Sequence, residues 1–250
     1  MKLKLIVFIF VFVPVLSAQE ESMLFEQANQ SYRNGDFQKA AQVYEQIVSN
    51  GYENPSLYYN LGNAYFKLQN IPASILNYER AKQLAPNDDD INYNLRLANL
   101  RVVDKIEPIP RLFFINWWNS FLNIFSSTGW AIAGIVALWI AVMFGALFFV
   151  ARQIVVQRIA FFLGAFAMFF AVLAFTGMYQ QIHLTEGTQR GIVFAQSVAV
   201  KSAPDAQSTD LFVLHEGVKV EFLDVVGIWR KIRLADGKIG WLSNEHVQII

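Results

Sequence analysis

A chain of 250 residues has room for two small domains plus membrane anchors, but not for a large catalytic fold as well. Hydrophobic residues make up 54% and charged residues only 16%, with zero formal net charge; an ordinary soluble domain is about 25% charged. No basic stripe points to nucleic acid, and the absence of cysteine excludes disulfides and thiolate metal sites.

Lys2 and Lys4 precede an apolar run of 12 residues, Leu5 to Leu16, too short to span a bilayer comfortably. Small Ser17 and Ala18 follow, then polar Gln19, Glu20 and Glu21. Residues 1–18 therefore read as a signal peptide, with cleavage expected after Ala18. An uncleaved anchor is the alternative. Either way Lys2 and Lys4 stay in the cytoplasm and the next domain is exported.

The segment Leu57 to Pro86 repeats itself at a period of 34. Shifting back pairs Gly62 with Ala28, Phe66 with Tyr32, Ser74 with Ala40, Tyr78 with Tyr44 and Glu79 with Glu45. Shifting forward pairs Tyr59, Asn60 and Leu61 with Tyr93, Asn94 and Leu95. Together with Leu61, Gly62, Tyr65, Tyr78, Ala81 and Pro86 at their signature spacing, this resembles the tetratricopeptide repeat family. Each repeat is then an antiparallel helix pair, in copies at 21–54 and 55–88. Small residues at 28, 40, 62 and 74 let the two helices approach, and Tyr44 and Tyr78 fill the gap to the next repeat. The third copy lacks a second helix before Pro108 and Pro110, so 89–104 is expected to be a cap helix that closes a repeat domain spanning 19–106.

In that family the first helices line a groove for an extended peptide or a partner helix. By register the groove positions are Phe25, Asn29, Tyr32 and Arg33, then Tyr59, Asn63, Phe66 and Lys67, then Arg101 in the cap, where Leu97 replaces the Asn. A basic ladder beside amides suits a carboxylate; a solvated helix face is the alternative. Phe25 and Tyr59 stand where a carboxylate clamp needs a base, so an aromatic groove for an amphipathic segment fits better.

Residues 107–128 mix large apolars with Asn and Ser, and Trp117, Trp118 and Trp130 suit the headgroup level; this predicts an interfacial linker helix. Gly129 to Ala151 and Ile159 to Tyr179 are uncharged stretches of 23 and 21 residues. As helices they measure about 34 and 31 Å, enough to cross a hydrocarbon core of about 30 Å. Residues 152–158, with Arg152 and Arg158 at the edges, form the turn between the spans, placed in the cytoplasm by the positive-inside rule. Ala133, Gly134, Ala137, Ala141 and Gly145 offer a close-packing surface, or ordinary lipid-facing composition. The absence of an ionisable residue within either span argues against transport.

From residue 188 to 250 short alternating strands take over, with a hairpin turn at Ala235-Asp236-Gly237-Lys238; five strands in a small closed barrel are expected. Val198 to Pro204, Leu214-His215-Glu216-Gly217, Val220, Gly227 to Ile232, Gly240-Trp241-Leu242 and Val247 resemble the bacterial SH3-like family. That resemblance implies binding of cell-wall peptides or protein partners. Trp229 is the ligand candidate; packing of the barrel is the alternative reading of both Trp229 and Trp241.

The three histidines lie far apart in sequence, and nothing matches a zinc-protease helix, a phosphate-binding loop or a nucleophile elbow. No catalytic residue, metal or cofactor is assigned, and the chain reads as a non-enzyme. The whole is a multidomain membrane protein: α-helical repeats, a two-helix transmembrane hairpin and an all-β SH3-like barrel. This order resembles the BatE proteins of the Bat aerotolerance group, which are encoded beside a MoxR-type ATPase and von Willebrand A-domain proteins. The resemblance implies a scaffold in the bacterial inner membrane, both soluble domains periplasmic, serving oxidative or envelope stress. The implied partners are other membrane or exported proteins, von Willebrand A-domain Bat proteins among them, with the lipid bilayer and peptidoglycan. A cell-wall-binding role through the barrel is the alternative.

Overall fold

A computed structural model describes residues 21–109, 113–122, 124–186 and 189–250. The expected signal peptide at 1–18 lies outside the described residues, as do positions 110–112 and 123 of the linker. The chain divides into two units, one formed by the residues up to Ile109 and from Gln189 onward, the other by Pro110–Thr188.

The first unit, here called the body, opens with helices α1 (21–33), α2 (Phe37–Ser49), α3 (Pro55–Lys67), α4 (Ile71–Leu84) and α5 (Asp89–Asn99). Each start from α2 onward is written locally. Asp36 accepts from the Lys39 N–H, Asn54 from that of Ser56, Asn70 from that of Ala73, and Asp88 from those of Asp90 and Ile91. Pro55 and Pro72 sit in the first turns of α3 and α4, where no N–H is needed. Ala28, Ala40 and Ser74 are fully buried between paired helices. At Gly62 a Cβ would lie 2.7 Å from the Tyr78 ring, and the Gly62 carbonyl accepts from Ser74 Oγ at 2.9 Å. The third copy ends sooner than expected: α5 stops at Asn99 rather than at 104. Lys105 Nζ folds back onto the Asn99, Leu100 and Val102 carbonyls at 3.4, 3.0 and 2.8 Å, which ends the helix by capping it. Residues 100–109 run on as an irregular strap.

The second half of the body holds seven strands, not five: β1 (Arg190–Val193), β2 (Ser197–Lys201), β3 (Asp210–His215), β4 (Lys219–Val226), β5 (Trp229–Arg233), β6 (Ile239–Ser243) and β7 (Val247–Ile249). They form one antiparallel sheet in the order β3-β2-β6-β5-β4-β1-β7, and among the described residues β3 and β7 do not pair with each other. The two end strands of the domain, β1 and β7, are four and three residues long and pair with each other. The β5–β6 turn closes as expected, with Gly237 at φ +88° and the Leu234 N–H donating to the Lys238 carbonyl.

Repeats and sheet are not separable modules. One hydrophobic cluster runs from Ile75, Leu76, Tyr78, Leu95, Ala98 and Val102 into Ile192, Val193, Leu214, Val218, Val220 and Ile232. Polar contacts seal the seam. Lys219 Nζ meets the nearly buried Glu79 carboxylate at 2.6 Å, and an Arg80 N–H donates to the Ile249 carbonyl at 2.9 Å. Asp104 takes the His215 backbone N–H at 2.7 Å and its Nδ1 at 2.9 Å, and the Ile109 N–H donates to the Ala235 carbonyl.

The second unit holds α6 (Phe113–Leu122), α7 (Ser127–Val150) and α8 (Ile154–Glu186). α7 and residues Ile154–Ile182 of α8 are long and apolar enough to cross a membrane. α8 starts inside the expected loop 152–158, so the non-helical link is only 151–153, and it runs past the expected end at Tyr179. A polar side chain does not interrupt backbone hydrogen bonding, so Arg158 and Gln180 remain helical. Trp130 is not an outward anchor as expected. It is buried against Gly177 and donates its indole N–H to the Leu122 carbonyl, while Trp118 donates to Gln180 Oε1 and Trp117 is exposed.

Candidate partner groove and outer sheet face

Five of the nine groove residues expected from sequence line one cavity of about 310 Å³: Tyr32, Tyr59, Asn63, Phe66 and Lys67, joined by Tyr78, Asn94 and Leu97. α1 and α3 supply the first five, and α5 supplies the wall at Asn94 and Leu97. Lys67 is exposed and has no anionic partner among the described residues. Arg101, expected in the groove, stands at its lip with its guanidinium 6.0 Å over the Phe66 ring. Burial and the neighbouring Tyr59 push the Tyr32 phenol up, and burial pushes Tyr78 up further. The phenols therefore stay neutral and offer hydrogen bonds, not charge. An aromatic floor, neutral polar walls and free cations at the rim suit an amphipathic segment carrying a carboxylate.

The remaining expected groove residues are drawn elsewhere. Arg33 is held by Glu26 at 2.5 Å and Gln30 at 2.8 Å, and its hydrogen bond, helped by its charge, holds Glu26 below the usual carboxylate range. Phe25 packs on Tyr44, ring centres 5.9 Å apart. Asn29 belongs to an internal ladder: its Oδ1 accepts the Tyr44 hydroxyl at 2.6 Å and Asn60 Nδ2 at 3.2 Å. One period on, Asn63 Oδ1 accepts the Tyr78 hydroxyl at 2.6 Å and Asn94 Nδ2 at 2.9 Å. Each ladder Asn thus ties its helix to its own partner and to the first helix of the next copy. Leu97 stands at the third position, where no further first helix exists to be tied. The sequence carried this signal, since Asn60 and Asn94 also repeat at 34, but the period alone does not separate a ladder from a binding surface.

In the sheet, Val200, Ile232 and Leu242 are fully buried, so alternation turns their neighbours outward. Trp241 lies directly across from Lys201 on β2 and Lys231 on β5, with Lys231 Nζ 5.9 Å from its ring centre. Trp229, two residues before Lys231, opposes Ser243 on the same face. Both indoles are half-buried. Lys201 is neutralised by Asp210 at 2.6 Å, whereas Lys231 has no anionic partner among the described residues.

Comparison with known proteins agrees with this division. The tetratricopeptide repeat family matches residues 25–89, and the bacterial SH3 domain family matches residues 196–248. No curated protein matches the chain. The fold is thus helical repeats, two apolar helices able to span a membrane, and an SH3-like β domain. Both matched families are typically interaction modules rather than catalysts.

Proposed function

We propose that this protein is a membrane-anchored, non-enzymatic scaffold whose repeat groove recruits an exported segment of a partner membrane protein. The observation that carries the reading is the aromatic cavity flanked by Lys67, without an anionic partner among the described residues, and by Arg101. Connectivity supports the anchoring. The chain leaves the body after Ile109 and re-enters it at Gln189, with two apolar helices between. A hairpin that crosses a bilayer twice returns both halves of the body to the same side. Arg152 and Arg158 at the hairpin's turn and the basic start of the chain favour the periplasmic side of a bacterial inner membrane. The order of domains resembles the BatE proteins, which suggests assembly of a complex with von Willebrand A-domain partners in aerotolerance.

The test is co-purification after crosslinking in intact cells. Replacing Tyr32, Phe66 and Lys67 together by alanine in the full chain is expected to abolish recovery of the partner. Unchanged recovery, with the variant still folded in the membrane, rejects the groove. The outer sheet face supports a second reading, peptidoglycan binding through Trp229, Trp241 and Lys231. Sedimentation of the detergent-solubilised full chain with purified cell wall, lost on Trp229→Ala, would favour it.

A further inference from the structure

We propose that the SH3-like domain takes the place of the missing second helix of the third repeat, and that by pinning the strap it positions the far wall of the groove. This rests on the groove reading only for its consequence in binding.

In the two complete copies, a second helix packs behind the first and fixes its angle. Behind α5 there is only the strap at 100–109, with no regular structure of its own. The SH3-like domain holds that strap along its length. The turn at Gly217 presses on Val102 and Ile75, so close that a Cβ there would lie 2.9 Å from Val102 Cγ2. Gly217 has φ +86°, a conformation other residues adopt at a cost, so the site admits little else. Asp104 is clamped on His215 by two hydrogen bonds, and Ile109 on Ala235 by one. The Glu79–Lys219 pair fastens the same domain to α4.

Arg101 lies directly between Leu100, whose carbonyl Lys105 caps, and Val102, which Gly217 fixes. Its guanidinium covers Phe66, while Asn94 on α5 reaches Tyr59 and Asn63 at 2.9 Å. No residue of the SH3-like domain lines the groove cavity, yet the elements forming its far wall are held in place by that domain. Asp104, His215, Gly217, Glu79 and Lys219 are therefore positioning residues.

Hydrogen exchange on the full chain in lipid nanodiscs tests the pinning without any partner. In Gly217→Val and in Asp104→Ala, amides of 89–109 are expected to exchange at least tenfold faster, while α2 keeps its wild-type protection. Wild-type exchange at 89–109 in both variants overturns the proposal, and so does equal loosening of α2. A gentler pair guards against misfolding. Lys219→Glu sets two carboxylates facing each other and is expected to loosen 89–109, and adding Glu79→Lys is expected to restore protection. Failure of that restoration, with α2 intact, also counts against the proposal. The binding consequence is read separately, from photo-crosslinking at position 32 in intact cells. Adduct yield is expected to fall at least fivefold in Lys219→Glu and to recover in the swapped pair. If the wild type gives no adduct, the groove reading fails while the exchange result stands on its own.

Discussion

The body and the hairpin differ in where they put their large apolar side chains. In the body large side chains are fully buried alongside small ones: Tyr44, Tyr78, Ile75, Ile192, Ile232 and Leu242 beside Ala28, Ala40 and Ser74. In α7 and α8 the buried residues are mostly small: Gly134, Ala137, Ala141, Ala160, Ala167, Ala171 and Ala174, while Trp139, Phe149, Phe162 and Phe166 are exposed. The buried positions 130, 134, 137 and 141 advance by four, three and four, and 167, 171 and 174 by four and three, the seam of two closely packed helices. At Gly134 and Gly177 the space a Cβ would take is filled by Phe175 and Trp130. Water drives large apolar groups inward, whereas lipid does not; small residues in the seam and large ones outside suit two helices able to cross a membrane. The same residue type thus means core in one region and surface in the other.

The largest effect that tests this contrast is expected in the body. Tyr78→Ala removes a buried ring and the hydroxyl that bonds Asn63. A loss of about 3–5 kcal/mol is expected, measured by denaturant unfolding of the detergent-solubilised chain. Next comes an exposed hairpin position. Ile140→Arg, near the middle of α7, is expected to cost about 2.5–3.5 kcal/mol in a membrane-insertion assay. Gln83→Arg on the exposed face of α4 should stay within about 0.5 kcal/mol. Equal tolerance at the two sites would break the comparison. Within the hairpin, Ala171→Leu at the seam is expected to cost about 1–3 kcal/mol of helix association by overpacking. Val172→Leu, which is exposed, should be silent in the same Förster transfer measurement across the hairpin.

The smallest effect at neutral pH belongs to Tyr44. Burial pushes its phenol from the usual 10 up to about 12. The unfolded chain ionises first as pH rises, so this contribution to stability is whole below pH 10 and is lost as pH climbs toward 12. An ultraviolet phenolate titration should show Tyr44 among the last to ionise. Tyr44→Phe should remove that share of the alkaline loss.

Much of the architecture was legible because its signals are local or periodic. Gly62 against Tyr78 and Ala28 in the matching place follow from a 34-residue period, and the spans follow from uninterrupted hydrophobicity. Seven strands stand where five were expected, and the shortest, Arg190–Val193 and Val247–Ile249, have only four and three residues in which to show alternation. The groove was half legible. Tyr32, Tyr59, Asn63, Phe66 and Lys67 do meet, but Asn29 was assigned outward because a ladder amide and a binding amide share one period. The joint between repeats and sheet left no mark in the chain. Glu79 and Lys219 stand 140 positions apart, and Asp104 and His215 stand 111 apart. Nothing in the sequence pairs these residues until the fold brings each to its partner.

That joint also gives the fold a way to report its own threading. Residues 110–188 are a detour out of a single core, and all of them are synthesised before the first strand exists. Until that strand is made, the surface around Ile75, Leu76 and Val102 waits uncovered. On the proposed two-span topology, a chain whose second span failed to return would leave that surface bare for good, a greasy flag of the kind that chaperones and proteases seize.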